Sequence, residues 1–332
     1  MVQGGSFITS TRQKRNTLGQ QSKPTGGGQV TFDLPKAGIL QAIYLNINAT
    51  ITGTLSAPNA NGLASIIRRV TLRVNSGNTL FDFSGAGYHW LIRDAMGLNR
   101  DPLSWTNARA AVTAVANQRL DMIIPVSLNN REETGLFMLQ NEGTLATLIV
   151  DFETDSVVAT GATVVATVKP TLVTYEVPSN EANWPDMSMI HQWLEENVNI
   201  AASGQLDHQI ARGAILLGQY YLVGTTTYSN AEFRVQQSNV IEGLLEPPDW
   251  RLRFAELTER DQALSGVAIT DPMTTTGKRL FLDFLASDGL GDYGSVRDVL
   301  DTRALTSIFT RFTFAGAGNL LSLRRQLLPL AG

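Results

Sequence analysis

Hydrophobic and polar residues alternate along most of this chain, as they do in strands that bury one face. The clearest run is 41–51, QAIYLNINATI, in which every odd position from Ile43 to Ile51 is apolar and the even positions are Tyr, Asn or Thr. The pattern predicts an all-β fold with many strands. Comparable runs follow at 70–75, 120–126, 145–153, 162–177, 214–224, 278–286, 306–315 and 319–330.

Short helices are predicted in the connections between these strands. Ser84 can cap a helix that runs from Gly85 to Met96, and Gly97 can end it. Residues 132–142, which are followed by a glycine, have the pattern of a second short helix.

The segment 179–203 is predicted to be a linker between two domains. Pro178 ends the preceding strand pattern, and 187–198, MSMIHQWLEENV, places four apolar side chains on one helical stripe. The adjacent acids Glu195 and Glu196 would then hydrate the exposed side of this helix. The stripe consists of Ile190, Trp193, Leu194 and Val198.

The second half of the chain repeats the first at a shift of 160 or 161 residues. Trp90 matches Trp250, and the alternating apolar positions of 120–124 match those of 280–284. Such self-similarity predicts two domains of one fold that arose by duplication.

Two further matches extend the repeat. The helix predicted at 132–142 has a predicted counterpart near 295–303. The strand at 39–45 matches 215–222 at a larger shift, which implies about 16 extra residues in the first half. The Gly, Pro and Asn-rich loop SAPNANG, 56–62, is where these residues would lie.

The length of 332 residues exceeds the size at which one hydrophobic core stops growing. Each half has the length and the number of strands of a jelly roll. We therefore expect two tandem eight-stranded jelly rolls with a few short helices in loops. The expected division is a flexible basic arm at 1–28, a first jelly roll at 29–178, a linker with a short helix at 179–203 and a second jelly roll at 204–332.

The expected arm contains basic residues and no acid before Asp33. Three interpretations of it remain open: contact with anionic lipid headgroups, contact with a neighbouring subunit, and a solvated tail. Its basic residues are Arg12, Lys14, Arg15 and Lys23.

Composition narrows the classes of function. The net charge of −4 argues against a molecule that binds polyanions over its whole surface, and the absence of Cys excludes disulfides and thiolate metal sites. No aromatic stacking residues accompany Arg324 and Arg325, so specific nucleic-acid binding is not expected. No apolar segment has the pattern of a signal peptide, so assembly in a host cytoplasm is expected.

Candidate chemistry is sparse. The three histidines, His89, His191 and His208, show no metal-binding spacing, so neither a metal, a cofactor nor a catalytic residue is expected. Trp90 and Trp250 are expected to anchor their helices in the two cores. The sequence thus favours a structural role over an enzyme.

Three stretches of the first half resemble a known family. They are FDLPKAGILQAIYLNINATITG, GLASIIRRVTLRVNSGNTLFDFSGAGYHWL and RLDMIIPVSLNNREETGLFMLQNEGTLATLIVDF. They resemble the double jelly-roll major capsid proteins of the tectivirus, corticovirus and adenovirus-hexon lineage. Over the second half the resemblance is one of pattern only.

This resemblance implies a major capsid protein that trimerises into a pseudo-hexameric capsomer. Such capsomers would tile the virion capsid of a tailless icosahedral bacteriophage with an internal membrane. The implied partners are other copies of the chain, penton and minor capsid proteins, and anionic lipid beneath the basic arm.

Two alternatives remain open. A two-domain jelly-roll carbohydrate-binding or viral spike protein would expose aromatic residues in its loops, for which Trp105, Tyr228 and Tyr293 are candidates. A glycan-active enzyme on a β-sandwich would need two carboxylates across a cleft.

Overall fold

A computed structural model gives the fold of the chain. The described residues form two compact units, one within Met1–His89, Asn99–Trp193 and Pro329–Gly332, and one within Trp90–Leu98 and Leu194–Leu328. The structure describes residues 7, 10–59, 61–75, 78–92, 95, 116–128, 134–140, 145–224, 226, 228–237, 278–284, 299–303 and 305–329.

Strands account for most of the described chain, as the alternation predicts. None of the helices in the described part is long and apolar enough to cross a membrane. The strands are β1 Gln13–Thr17, β2 Gln21–Ser22, β3 Gly28–Asp33, β4 Ile39–Thr52, β5 Ile67–Val74, β6 Asn78–Phe83, β7 Ala116–Pro125, β8 Phe137–Met138, β9 Ala146–Phe152, β10 Thr163–Tyr175, β11 Met189–Ile200, β12 Gly204–Gln209, β13 Ile215–Val223, β14 Tyr228–Gln237, β15 Lys278–Asp283, β16 Leu300–Asp301, β17 Leu305–Phe314 and β18 Gly318–Pro329.

The first unit is built from two sets of four longer strands. One has the order β1-β10-β4-β7 and the other the order β6-β5-β9-β3, and the paired strands are antiparallel. The two-residue strands β2 and β8 add to β10 and β4. Eight strands in two antiparallel sheets, joined by long connections, are the jelly-roll arrangement.

The second unit has the same strand order. One sheet runs β11-β18-β13-β15 and the other β12-β17-β14. The strands β11, β12, β13, β14, β15, β17 and β18 thus take the places of β1, β3, β4, β5, β7, β9 and β10. A counterpart of β6 is not present among the described residues.

Buried side chains hold the sheets together. Along β4 the odd positions from Ile43 to Ile51 are buried, while Tyr44, Asn48 and Thr50 are exposed, so the predicted alternation is confirmed. In the second unit one apolar cluster takes side chains from both sheets. It includes Leu216, Tyr221, Val223, Leu280, Leu282, Phe284, Leu305, Ile308, Phe312, Phe314 and Leu320.

Strand pairing confirms the predicted repeat. Ile39 of β4 pairs with Met138 of β8, and its predicted match Ile215 of β13 pairs with Asp301 of β16. The extra residues also fall close to where they were expected. The starts of β4 and β5 are 28 residues apart (67 − 39), against 13 for β13 and β14 (228 − 215), which leaves 15 more in the first unit.

The prediction of a flexible arm over 1–28 is wrong for the described part of that segment. The strand β1 pairs with β10, and the backbone amide of Lys23 continues the contact by donating to Ala166 O at 2.8 Å. All five side chains of β1 are exposed, so the strand has no buried face and shows no alternation of hydrophobic and polar residues.

The prediction of a helix over 187–198 is also wrong, because Met189–Ile200 forms the strand β11. Four consecutive residues, Ile190 to Trp193, are buried, so this strand is covered on both faces and shows no period of two. The spacing of its apolar residues matches a helical stripe by coincidence. Glu195 is buried rather than hydrated.

The other predicted helices are partly corrected. Ser84 caps a turn of α-helix at Gly85–Gly87 by accepting from the Gly87 amide at 3.0 Å, and a π-helical turn follows at Tyr88–Ile92. The predicted end at Gly97 lies outside the described residues. Within 132–142, the described residues 134–140 contain the strand β8 and no helix.

We predict that proline substitutions in β1 will show how far β1 stabilises the first unit. The Glu176 amide donates to Arg12 O and the Leu18 amide to Pro170 O, so the backbone groups of even-numbered β1 residues face β10. Asn16→Pro should therefore lower the free energy of unfolding by about 1–3 kcal/mol more than Thr17→Pro, whose amide faces outward. Denaturant unfolding measures both, and equal losses would contradict the pairing.

Candidate functional site

Three of the four basic residues of the predicted arm lie on or beside β1, and Lys23 follows β2. Three of the four have partners within the first unit. Lys14 forms an ion pair with Glu176 at the exposed end of β10. The ammonium group of Lys14 lowers the pKa of Glu176 below its ordinary value. The Arg15 guanidinium lies over the Tyr44 ring, 5.6 Å from its centroid. Arg12 is exposed.

Lys23 has a structural position rather than a surface one. Its side chain is 1% exposed, and Nζ lies 2.5 Å from Asp155 Oδ1. The other oxygen of Asp155 accepts from the Val164 amide at 3.1 Å, and Lys23 Nζ also donates to Pro24 O. This pair, in which Asp155 remains 23% exposed, fastens the segment after β2 to the loop before β10.

One of the two tryptophans predicted to anchor helices lies within the described residues. Trp90 lies in the π-helical turn and is half-buried. Trp250 lies outside the described residues.

The outer face of the sheet β1-β10-β4-β7, the side opposite its buried residues, is polar and rich in Asn and Thr. Asn46 Nδ2 donates to Asp121, Asn48 Nδ2 donates to Asn46 Oδ1 at 2.7 Å, and Arg119 pairs with Asp121 at 2.7 Å. Val165 is 65% exposed on the same face. A face with many hydrogen-bonding groups and few charges suits a hydrated protein–protein contact.

A second polar arrangement lies inside the second unit, and we call it the His208 centre. His208 is 6% exposed, and its Nδ1 lies 3.2 Å from the hydroxyl of Tyr221. That hydroxyl donates to Thr310 Oγ1 at 2.7 Å. On the other side of the ring, His208 Nε2 lies 3.6 Å from Glu196 Oε2.

A partly open cavity of about 120 Å³ adjoins the His208 centre. It has polar walls from both sheets, and Gln219 Nε2 donates to Ser322 Oγ at 2.7 Å in one of them. The cavity is lined by Leu194, Glu195, Glu196, His208, Gln209, Ile210, Gln219, Ser322 and Arg324.

Burial dominates the electrostatics of this centre. It lowers the pKa of His208 below its ordinary value, while the Glu196 carboxylate raises it and Arg324 lowers it again. Burial likewise lowers the pKa of Arg324 and raises that of Tyr221. His208 is therefore neutral at neutral pH.

Sequence reasoning did not find this centre. It noted His208 only for its lack of metal-binding spacing, and it assigned Glu196 to the surface of a helix. In the part of the chain that the structure describes, no three acidic or histidine side chains are grouped so that they could hold a metal ion. The available signal was the repeat itself, because these polar residues stand where the first unit has apolar ones.

Comparison with known proteins bears on the fold. No protein-family model and no curated relative matches the sequence. Among solved structures, the major capsid protein of Sulfolobus turreted icosahedral virus superposes with a TM-score of 0.70 at 16% identity, over 96% of this chain and 97% of that one. This chain has the double jelly-roll fold.

Two other viral capsid structures match this chain with similar coverage. The PBCV-1 virus capsid gives a TM-score of 0.63 at 10% identity, covering 96% of this chain and 94% of that chain. The major capsid protein from bacteriophage PM2 gives 0.51 at 12% identity, covering 96% and 98%. At these identities the likeness establishes the fold, and function has to be argued separately.

We predict that the ion pair Lys23–Asp155, with the Lys23 side chain 1% exposed and that of Asp155 23% exposed, stabilises the first unit. Asp155→Ala leaves the ammonium group without a carboxylate partner and removes the acceptor of the Val164 amide, so the free energy of unfolding should fall by about 2–3 kcal/mol. The control is Glu176→Gln in the exposed pair with Lys14, where the loss should be about 1 kcal/mol or less. Similar losses in denaturant unfolding of the two variants would refute the buried role.

Proposed function

We propose that this chain is the major capsid protein of an icosahedral virus and that three copies form a pseudo-hexameric capsomer. The observation that carries the proposal is the repeat of one jelly-roll strand order in both units. It is supported by the fold shared over nearly the full length of viral major capsid proteins. The proposal keeps the jelly rolls expected at 29–178 and 204–332 and adds the opening strands β1 and β11 to them.

The physics of closed assemblies favours a trimer. Contacts between two different faces of one subunit close into a ring when the rotation between subunits is a whole fraction of a turn. Three subunits with two similar units each present six similar units around the ring, so the trimer can occupy a sixfold position in a flat lattice. The outer face of β1-β10-β4-β7 is suited to such a contact, because it offers many hydrogen-bonding groups.

We also propose that the virus is a tailless bacteriophage whose shell encloses a membrane. Penton and minor capsid proteins would then be further partners, and the protein would assemble in the host cytoplasm. Arg12 and Arg15 are the basic residues of the predicted arm available to anionic lipid, since Lys14 and Lys23 have carboxylate partners. Each exposed cation near an anionic surface contributes about 1 kcal/mol.

The native mass of the purified protein tests the capsomer. Because one chain has a mass of 36.1 kDa, we expect light scattering to give three times that value, about 108 kDa, and negative-stain images to show hexagonal outlines. A stable monomer or dimer at every concentration tested would count against the trimer. Glycan binding by such a monomer would move the assignment to the carbohydrate-binding alternative.

Vesicle flotation tests the lipid contact without removing β1. We expect Arg12→Gln/Arg15→Gln to bind phosphatidylserine vesicles about 30-fold more weakly than the unaltered protein, because two lipid contacts are lost. The matched control is Lys169→Gln/Arg119→Gln, which removes two exposed charges from the outer face. Equal binding by the two variants, or equal binding to phosphatidylcholine vesicles, would leave no lipid role for β1.

A further inference from the structure

The hydrogen bonds of the His208 centre suit a neutral ring with its hydrogen on Nδ1. With the Tyr221 hydroxyl donating to Thr310 Oγ1, that hydroxyl is an acceptor for His208 Nδ1. Nδ1 therefore bears the hydrogen of the neutral ring, and Nε2 presents a lone pair. That nitrogen is buried, has no hydrogen-bond partner among the described residues, and lies 3.6 Å from a carboxylate oxygen of Glu196.

The first unit shows that the fold does not require this polar centre. Equivalent positions follow from the register of the paired strands. Because Ile39 matches Ile215, Leu45 stands where Tyr221 does. Because the pair Gly28–Phe152 matches the pair Gly204–Phe314, Phe32 and Leu148 stand where His208 and Thr310 do. All three first-unit residues are apolar and buried. The same architecture is thus stable with an apolar centre.

A buried lone pair that faces a carboxylate is suited to bind a cation. The groups around this one favour a proton over a larger cation. The cavity is about 120 Å³, and Arg324 lines it. Its Nε is buried and has no hydrogen-bond partner within the part of the chain that the structure describes. The guanidinium opposes a metal ion or an organic cation in this cavity, and Glu195 and Glu196 in the same wall oppose an anion, which leaves the proton. We propose that His208 Nε2 is a proton-binding site through which acidification loosens the second unit.

The charged and titratable groups around His208 come from every strand packed against it. The strand β11 supplies Glu196 and, in the cavity wall, Glu195; β18 supplies Arg324; β13 supplies Tyr221. On β17, Arg311 is held by Asp207, the chain neighbour of His208, through bonds of 2.7 Å to each carboxylate oxygen. These two groups neutralise each other on the opposite face of β12.

The sign of the effect follows from burial. Because the pKa of His208 is lowered in the folded protein, the unfolded chain binds more protons at mildly acidic pH. The stability that neutral His208 contributes is complete above the unfolded value of 6.5, and it is lost as the pH falls through the lowered folded value. Protonation places a second positive charge beside Arg324 in the cavity wall. The second unit is the part that becomes less stable.

Histidine NMR tests the site directly, since the chain has only three imidazoles. In protein labelled with ¹³C-histidine, the C2–H signal absent from His208→Val should titrate with a midpoint below 6.5. Glu196→Gln should lower that midpoint by up to about 1 pH unit, and Arg324→Gln should raise it. Glu181→Gln, an exposed acid of the first unit, is the control and should not move it. A midpoint at or above 6.5, or no response to either neighbour, would overturn the proposal.

Unfolding at two pH values tests the consequence. The unaltered protein should lose more stability between about pH 7.5 and about pH 5 than His208→Val/Tyr221→Phe/Thr310→Val, which makes this centre apolar like that of the first unit. We expect that variant to fold at neutral pH, as the first unit does. If it fails to fold, Arg324→Gln takes its place, with its loss of stability expected at higher pH. Equal acid sensitivity of variant and unaltered protein would refute the proposal. Neither experiment depends on trimer formation, so the capsid proposal and this one can fail separately.

Discussion

Pairing between the first and the last strand of each unit is the constraint on which the double jelly roll depends. In the first unit, Gln13 lies opposite Tyr175 and Thr17 opposite Thr171. In the second, β11 lies beside β18 in the same manner. The last strand is held from both sides, because β10 also pairs with β4 over nearly its whole length. Without the opening strand, β10 would present an unpaired edge, which is a site for wrong association.

The fold class was predictable because most strands bury one face, and a half-buried strand shows a period of two. The two segments that sequence analysis excluded from the jelly rolls are the two opening strands. Neither shows the period, for opposite reasons: β1 is exposed on every side chain, and β11 is buried at four consecutive positions. Periodicity reports the difference between two faces, so it is absent where both faces have the same surroundings.

The candidate sites were less predictable, because they depend on which strands meet. In the sequence, Lys23 is one of several cations in a basic segment. Only the fold brings it to Asp155, which lies 132 residues away along the chain. His208 gave no motif, since Glu196, Tyr221 and Arg324 come from three different strands. The repeat held the useful information: a polar residue opposite an apolar one in an equivalent core position marks where the two units have diverged. Such positions are open to function because the fold itself does not need them to be polar.

The neighbouring positions of Gln13 and Tyr175 mean that the chain enters and leaves the first unit at almost the same place. A unit of this kind can be copied head to tail, since a second copy can begin where the first one finishes without a long connection. It can also be joined into a circle and reopened in a surface loop, such as the one that precedes β10, while every strand keeps its partners. Both rearrangements leave the core unchanged. The geometry that made a tandem gene product workable is therefore also a geometry in which the order of the strands along the chain is free to change.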